Sequence, residues 1–322
     1  MKRSIDWGAW GSLAIVAAVC AVIALRAMPG AEPPPETDGR VQEPATQAAP
    51  EKKSKHDLGG YRVNAPERVI TLRDDMQEIS GLGLAGDETT LWAIDDERST
   101  LFRLSTEDGS IEQRIELKLR GDYESVEQVE DRVYVARSDG TLLIVDTSGK
   151  RPVEKLALSS ELGLACELEG VAWDPERERL LLSCKNEPVK TKVSKKACEI
   201  YALDVEKKKV DPSPLFTLDE QAIDAYVAKH PPAPGVTPLK GSSFAPSGLA
   251  LHPKTGELYV LSTRGKMLVV LSREGKLVDV GPLDPVTHPR PEGIAFGADG
   301  TLYLSDEAHG STPARIHVIA AP

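Results

Sequence analysis

From residue 61 onward the chain alternates apolar and polar positions with period two in short runs, and the runs recur as a set. Five segments align at their starts: Ser80-Gly81-Leu82-Gly83-Leu84, Glu124-Ser125-Val126, Glu169-Gly170-Val171-Ala172-Trp173, Ser247-Gly248-Leu249-Ala250-Leu251 and Glu292-Gly293-Ile294-Ala295-Phe296. Their second residues stand 44, 45, 78 and 45 positions apart. Each start leads to a second alternating run, such as Leu91-Trp92-Ala93-Ile94 or Leu302-Tyr303-Leu304-Ser305, and most to a third, with turns such as Asp108-Gly109 and Glu274-Gly275 between them. Runs of this length separated by Gly and Asp turns are strands of consecutive antiparallel hairpins. Four strands in about 45 residues, repeated, predict an all-β chain folded as one β-propeller of four-stranded blades.

The count is five blades, with a degenerate sixth hidden in the 78-residue interval as the alternative. That interval holds one blade plus about 33 extra residues if blades keep a common length. Two insertions are predicted, at 185–197 and 219–244, the second helical from Asp219 until Pro231-Pro232 stops it. The last repeat ends at Ile316-His317-Val318-Ile319 without a fourth strand, while Arg68-Val69-Ile70-Thr71-Leu72 precedes the first repeat unpaired. The N-terminal strand is therefore expected to close the final blade, which would leave no open sheet edge in the ring.

The first sixty residues follow another pattern. After residues 1–6, with Lys2 and Arg3, the run Trp7–Leu25 has no charged side chain and is long enough to span a bilayer, predicting a signal-anchor helix over 7–28. The basic end stays in the cytoplasm, so the propeller (61–322) is expected in the periplasm, single-pass on the inner membrane; secretion after signal cleavage is the competing reading. Residues 29–60 are rich in Pro, Ala, Glu and Lys and read as a tether, able to reach roughly 100 Å if extended.

Composition changes the picture mainly by exclusion. A net charge of −11 argues against nucleic-acid partners. Four cysteines in 322 residues are too few for a disulfide-built fold, and none shows zinc-finger spacing. Cys184 ends one strand and Cys198 begins the next, so a disulfide is expected between them at the base of the lysine-rich 185–196 loop, itself a solvated tip or a contact for a polyanion or lipid. Gly81-Leu82-Gly83-Leu84-Ala85-Gly86 fits a dinucleotide pattern but is itself a strand with no helix after it, so it carries no nucleotide reading. No G-x-S-x-G, H-E-x-x-H or EF-hand pattern is present.

The candidate chemistry lies at the repeat starts. Ser80, Glu124, Glu169, Ser247 and Glu292 fall at the entry to the innermost strands, which line a propeller's channel. Three carboxylates converging on one mouth repel unless neutralised, and a hard cation with oxygen ligands, calcium above all, would settle them. Glu124, Glu169 and Glu292 are the expected metal ligands; the alternative is that they bind loop amides or sit hydrated. A second set ends the second strands on the same side of the disc: Asp96 and Glu97 after Asp95, Glu187, and Asp306 with Glu307. Arg137, Lys185 and Arg264 take similar positions. With Ser80 and Ser247 these form the expected binding rim for a small anionic ligand, against the reading of solvated turn charges. His288 and His309 are placed to reach this rim as acid or base groups, while His252 and His317 read as structural.

Taken together, Ile79-Ser80-Gly81-Leu82, Asp122-Tyr123-Glu124, Glu167-Leu168-Glu169-Gly170-Val171-Ala172, Pro246-Ser247-Gly248-Leu249-Ala250 and Pro291-Glu292-Gly293-Ile294-Ala295, with Asp95-Asp96-Glu97 and Ser305-Asp306-Glu307, resemble the SdiA-regulated (YjiK-like) β-propeller proteins of bacteria across residues 65–320. The resemblance implies a periplasm-facing propeller on an N-terminal helix, calcium binding in some members, and a distant similarity to calcium-dependent phytases and esterases. This chain departs in the third-blade insertion, in its cysteines and in Ser125 where the other repeats have Gly. The expected function is a calcium-binding, ligand- or protein-binding module in envelope signalling or calcium response, monomeric. The alternative is a metal-dependent phosphoesterase or lactonase at the channel mouth.

Overall fold

The alternating runs form strands in the computed structural model, which describes residues 58–148, 152–158, 166–185, 197–231 and 240–322. A four-residue strand, β1 (Arg68–Thr71), precedes the first repeat. Blade 1 comprises β2 (Ile79–Leu84), β3 (Thr90–Asp95), β4 (Thr100–Ser105) and β5 (Ile111–Glu116). Blade 2 comprises β6 (Tyr123–Val129), β7 (Arg132–Arg137), β8 (Thr141–Asp146) and β9 (Pro152–Ala157). Blade 3 begins with β10 (Leu168–Asp174), β11 (Arg179–Cys184) and β12 (Ala197–Asp204). Its outer edge is divided, because both β13 (Lys209–Val210) and β14 (Phe216–Asp219) pair with β12. Blade 4 comprises β15 (Gly248–Leu251), β16 (Leu258–Ser262), β17 (Met267–Leu271) and β18 (Leu277–Pro282). Blade 5 comprises β19 (Pro291–Phe296), β20 (Leu302–Asp306) and β21 (Arg315–Ile319), with β1 paired antiparallel outside β21.

Among the described residues the 78-residue interval thus holds one blade and no sixth. Part of its extra length is helix α1 (Glu220–Lys229). Asp219 caps it by accepting from Gln221 N–H at 2.7 Å, which satisfies one of the amides that a helix start leaves unpaired. Ile223 is buried under it, and Tyr226 Oη donates to Asp279 on blade 4 at 2.8 Å. Among the described residues no helix is long and apolar enough to cross a membrane; the predicted anchor at 7–28 lies outside them.

Five apolar clusters hold the ring, one per blade interface. Trp92, Ile94 and Leu101 of blade 1 meet Val126, Val135 and Leu143 of blade 2. Ala136 and Leu142 meet Leu168, Leu182 and Tyr201 of blade 3. Leu181 and Ile200 meet Leu249, Val260 and Val269 of blade 4. Leu261 and Leu268 meet Ile294 and Leu304 of blade 5, where Leu58, Tyr61 and Val63 join from the N-terminal side. Ala295, Tyr303 and Ile316 then meet Leu82, Leu91 and Phe102 of blade 1, completing the circle. Inner and middle strands such as β3, β11 and β16 contribute alternate residues to two different clusters, as the period-two pattern requires.

That alternation corrects the disulfide. Cys184 stands opposite Glu199 in the β11–β12 register, so Cys198, one residue earlier, points to the other face of the sheet. Cys184 faces the blade 2–3 core, where it bonds Cys166 across a Cα separation of 5.1 Å. Cys198 is a buried free thiol in the blade 3–4 core, its pKa pushed up to about 12 by burial and then by Glu199.

The innermost strands approach one another closely at the glycines of the repeat. A Cβ on Gly81 would lie 2.5 Å from Ser125 Cα, and one on Gly83 would lie 2.6 Å from Val126 O, both backbone atoms of the neighbouring blade. Gly293 faces Ser80 O at 2.7 Å in the same way across the 5–1 interface. Gly81→Ala is expected to force β2 and β6 apart and to cost about 1–3 kcal/mol. Denaturant unfolding of wild type and variant measures it; an unchanged midpoint would show that the inner strands can shift freely.

Candidate functional site at the channel mouth

Four of the five repeat starts form a β-bulge. In β2 the register with β3 slips between Ile79 and Leu82; in β6 it slips around Glu124, in β10 around Glu169 and in β19 around Glu292. A bulge inserts an unpaired residue and re-aims its side chain. The polar residue of each repeat is therefore turned out of the sheet at the same level of the ring. Beside each bulge the first residue after the second strand donates its N–H to a carbonyl two residues before the bulged residue. The pairs are Asp96 to Glu78 at 3.2 Å, Ser138 to Asp122 at 2.9 Å, Lys185 to Glu167 at 2.9 Å and Glu307 to Arg290 at 3.0 Å. This clamp sets Asp96, Ser138, Lys185 and Glu307 beside the bulged residues of their own repeats.

Glu169 is buried and bonds Lys185 Nζ at 2.9 Å. Glu292 accepts from Thr263 Oγ1 at 2.8 Å, and the same hydroxyl bonds Ser247 Oγ at 2.8 Å and also Pro291 O. Ser80 and Ser247 are buried. Glu124 is half-buried. The three glutamates feel one another, but their oxygens do not meet as a cluster: His288, Asp306 and His317 form the group of three, among the described residues, whose ligand atoms lie within 4.8 Å of one another.

Electrostatics mark the mouth as short of positive charge. Burial, then Glu169 and Asp122, pushes Glu124 up to about 9. Burial raises Glu169 to about 7 against the pull of Lys185, and burial raises Glu292 against Thr263 and Arg290. Glu307, paired with Arg290 at 2.6 Å, stands at about 8 through burial and the charge of Glu292. Asp96 is pushed to about 6 by burial, then by Asp95, Glu78 and Asp122, and its Oδ1 is buried without a hydrogen-bond partner. Beside it, a groove of about 840 Å³ opens between the 96–100 and 116–122 loops.

The rest of the predicted rim divides. Arg137 pairs with Asp139 at 3.1 Å and lies over the Tyr123 ring, 5.8 Å from its centroid. Glu97 and Arg264 are exposed, and Glu187 lies outside the described residues. Asp306 and His288 are not at the rim: both are fully buried inside blade 5, because Asp306 still belongs to β20 and pairs across it with Pro291 and Arg315. His309 is exposed. Glu78, Asp122, Glu167, Thr263 and Arg290 were missed as rim residues. Four of them share a signal, since they stand two residues before a bulge.

Glu124, Glu169, Glu292, Ser80, Ser247 and Thr263 offer oxygens, the donor type a hard cation takes, but the three carboxylates are not gathered within one coordination shell in this arrangement. The raised pKa values give a pH dependence. The folded chain holds protons that the unfolded chain releases near the ordinary value of 4.5, so stability is full below that pH and falls as pH rises through about 6 to about 9. Thermal unfolding of the metal-free protein is expected to show a melting temperature declining from pH 5 to pH 9, with Glu124→Gln flattening the upper part. A rise over that range would contradict it.

The profile of the family "SdiA-regulated" matches residues 54–225 and 244–309. No curated protein matches the chain by sequence. Among solved structures, glutaminyl cyclase of Myxococcus xanthus is similar in fold, with TM-score 0.53 and 13% identity over 80% of this chain and 95% of that one. A calcium-binding protein, regucalcin, of Agrobacterium tumefaciens aligns at TM-score 0.47 and 14% identity over 80% and 93%. At these identities the likeness concerns the fold alone. With the family profile covering most of the chain, and its five blades and repeat starts in place, this protein belongs to the SdiA-regulated family.

Proposed function

We propose that this protein is a cation-dependent binding module whose channel mouth takes calcium and, through it, a small anionic ligand or a partner protein. The observation that carries the reading is the ring of bulged, desolvated carboxylates, Glu124, Glu169 and Glu292, backed by Glu307 and by the unpartnered Asp96 Oδ1. Lys185 and Arg290 offset only part of that charge. A divalent ion supplies the missing positive charge and accepts six to eight oxygens in flexible geometry. With Arg137, Lys185 and Arg290 around it, the rim then suits a carboxylate or phosphate group. The reading includes the tether: residues 7–28 hold the propeller to the inner membrane on its periplasmic side, supported by the charge asymmetry around the apolar run.

Thermal unfolding of the full chain in calcium, magnesium and chelator tests the ion. Calcium at a hundredfold excess over its Kd is expected to stabilise by about 2.7 kcal/mol. That corresponds to a rise of roughly 5–10 °C for a domain of this size. The Glu124/Glu169/Glu292→Gln triple variant should lose the shift; an equal rise in the variant would place the ion elsewhere.

A metal-dependent phosphoesterase or lactonase is the second reading, with Glu124, Glu169 and Glu292 holding the ion, and one observation favours it: Asp96, with its Oδ1 buried and unpartnered and its carboxyl pushed to about 6, is available as a general base acting on water. It requires turnover of a phosphomonoester or lactone that chelator and Glu169→Gln both abolish. A broad substrate panel without turnover would leave binding alone.

A further inference from the structure

Inside blade 5, away from the mouth, three fully buried side chains converge: His288 from the segment before β19, Asp306 at the end of β20 and His317 on β21. His288 Nδ1 lies 3.2 Å, and His317 Nε2 2.9 Å, from Asp306 Oδ2. His288 Nε2 lies 2.8 Å from Val63 O, an acceptor only, so that nitrogen carries the proton. In the neutral ring Nδ1 is then a lone pair facing a carboxylate oxygen, two acceptors opposed unless a cation stands between them. His317 sharpens the point. The residue is 1% exposed, its Nδ1 has no hydrogen-bond partner, and its Nε2 lies 2.9 Å from Oδ2 without the alignment of a good hydrogen bond.

We propose that His288, Asp306 and His317 form a structural binding site for a zinc-class divalent ion, held by His288 Nδ1, His317 Nε2 and Asp306 Oδ2. Two imidazoles and a carboxylate are a zinc donor set, whereas calcium prefers oxygen alone. Tetrahedral bonds of about 2.0–2.1 Å set their donors roughly 3.3 Å apart; the two separations from Asp306 Oδ2 need to open only slightly, and the two imidazole nitrogens already lie within 4.8 Å of each other. The outer contacts are those that a metal site uses: Val63 O fixes the His288 tautomer, and Arg290 N–H holds Asp306 Oδ1 at 2.8 Å. Three protein donors leave a fourth position for one water. Burial of all three means that the ion enters during folding and ties β20, β21 and the Val63 segment together.

The full chain, purified without metal-affinity steps and analysed by elemental mass spectrometry, is expected to carry about one zinc per chain, and His317→Gln to lose it. Glu124→Gln, at the mouth, should keep it. If His317→Gln fails to fold, wild-type chain refolded with cobalt(II) provides the readout: visible d–d absorption that zinc displaces is expected. Wild type that carries no zinc and gives no cobalt spectrum would overturn the site. So would zinc lost from Glu124→Gln and kept by His317→Gln. Calcium stabilisation at the mouth is read separately, so either site can fail without the other.

Discussion

Everything in this propeller depends on how closely five inner strands crowd the axis. Neighbouring inner strands come so near that the position after each bulge tolerates almost no side chain, as the 2.5 Å approach of a hypothetical Gly81 Cβ to Ser125 Cα shows. Gly170 and Gly248 are confined similarly, by Leu249 and by Glu292 O. Blade 2 solves the same constraint differently: Ser125 has its Cβ, and its hydroxyl accepts the N–H of Val171 on blade 3 at 3.1 Å, turning a close contact into an inter-blade hydrogen bond. The bulges follow from the crowding. They bend each strand away from the axis at the rim and in doing so turn the preceding polar residue into the channel. Closure of the ring and construction of the site are one local device.

That device has an energetic consequence. Exposed ion pairs contribute at most about 1 kcal/mol, so pairs such as Arg73–Asp75 decide little. Carboxylates turned into a narrow mouth are different, because each loses water and faces others. The protein offsets this with Lys185 on Glu169, Arg290 on Glu307 and Thr263 on Glu292. Glu124 is pushed up to about 9, with the nearby Lys185 opposing the shift. Charge is concentrated against stability where a ligand would relieve it, which is the usual state of a binding site rather than of a structural rim.

Much of this was legible in the chain. The 44- and 45-residue spacings linked the five blade starts as a run of three and a pair, and the Ser-Gly and Glu-Gly pairs named the rim residues, because both the glycine and the polar residue are required by the same approach of strands. What the alternating pattern could not reveal were properties of register. Cys184 and Cys198 look adjacent at the ends of consecutive strands, yet one residue of offset puts them on opposite faces of the sheet. His288 looks like a rim residue from its nearness to Glu292, but the chain reaches β19 from inside the blade and leaves the ring in the core. Thr263 carried no repeat signal, since its role comes from spanning two blades between Ser247 and Glu292.

Blade 5 joins two chemical environments through a single carboxylate. Asp306 Oδ1 accepts the N–H of Arg290, whose guanidinium pairs with Glu307 at the mouth, while Oδ2 faces the two histidines in the core. Asp306 apart, the rim presents carboxylate and hydroxyl oxygens, whereas the interior of blade 5 presents imidazole nitrogens. Hard and borderline cations are distinguished by donor type far more than by overall charge. With both proposed ions bound, this segregation of donors would keep the two kinds of ion apart without discrimination at either place, and Arg290, bonded to Asp306 on one side and to Glu307 on the other, would stand between them.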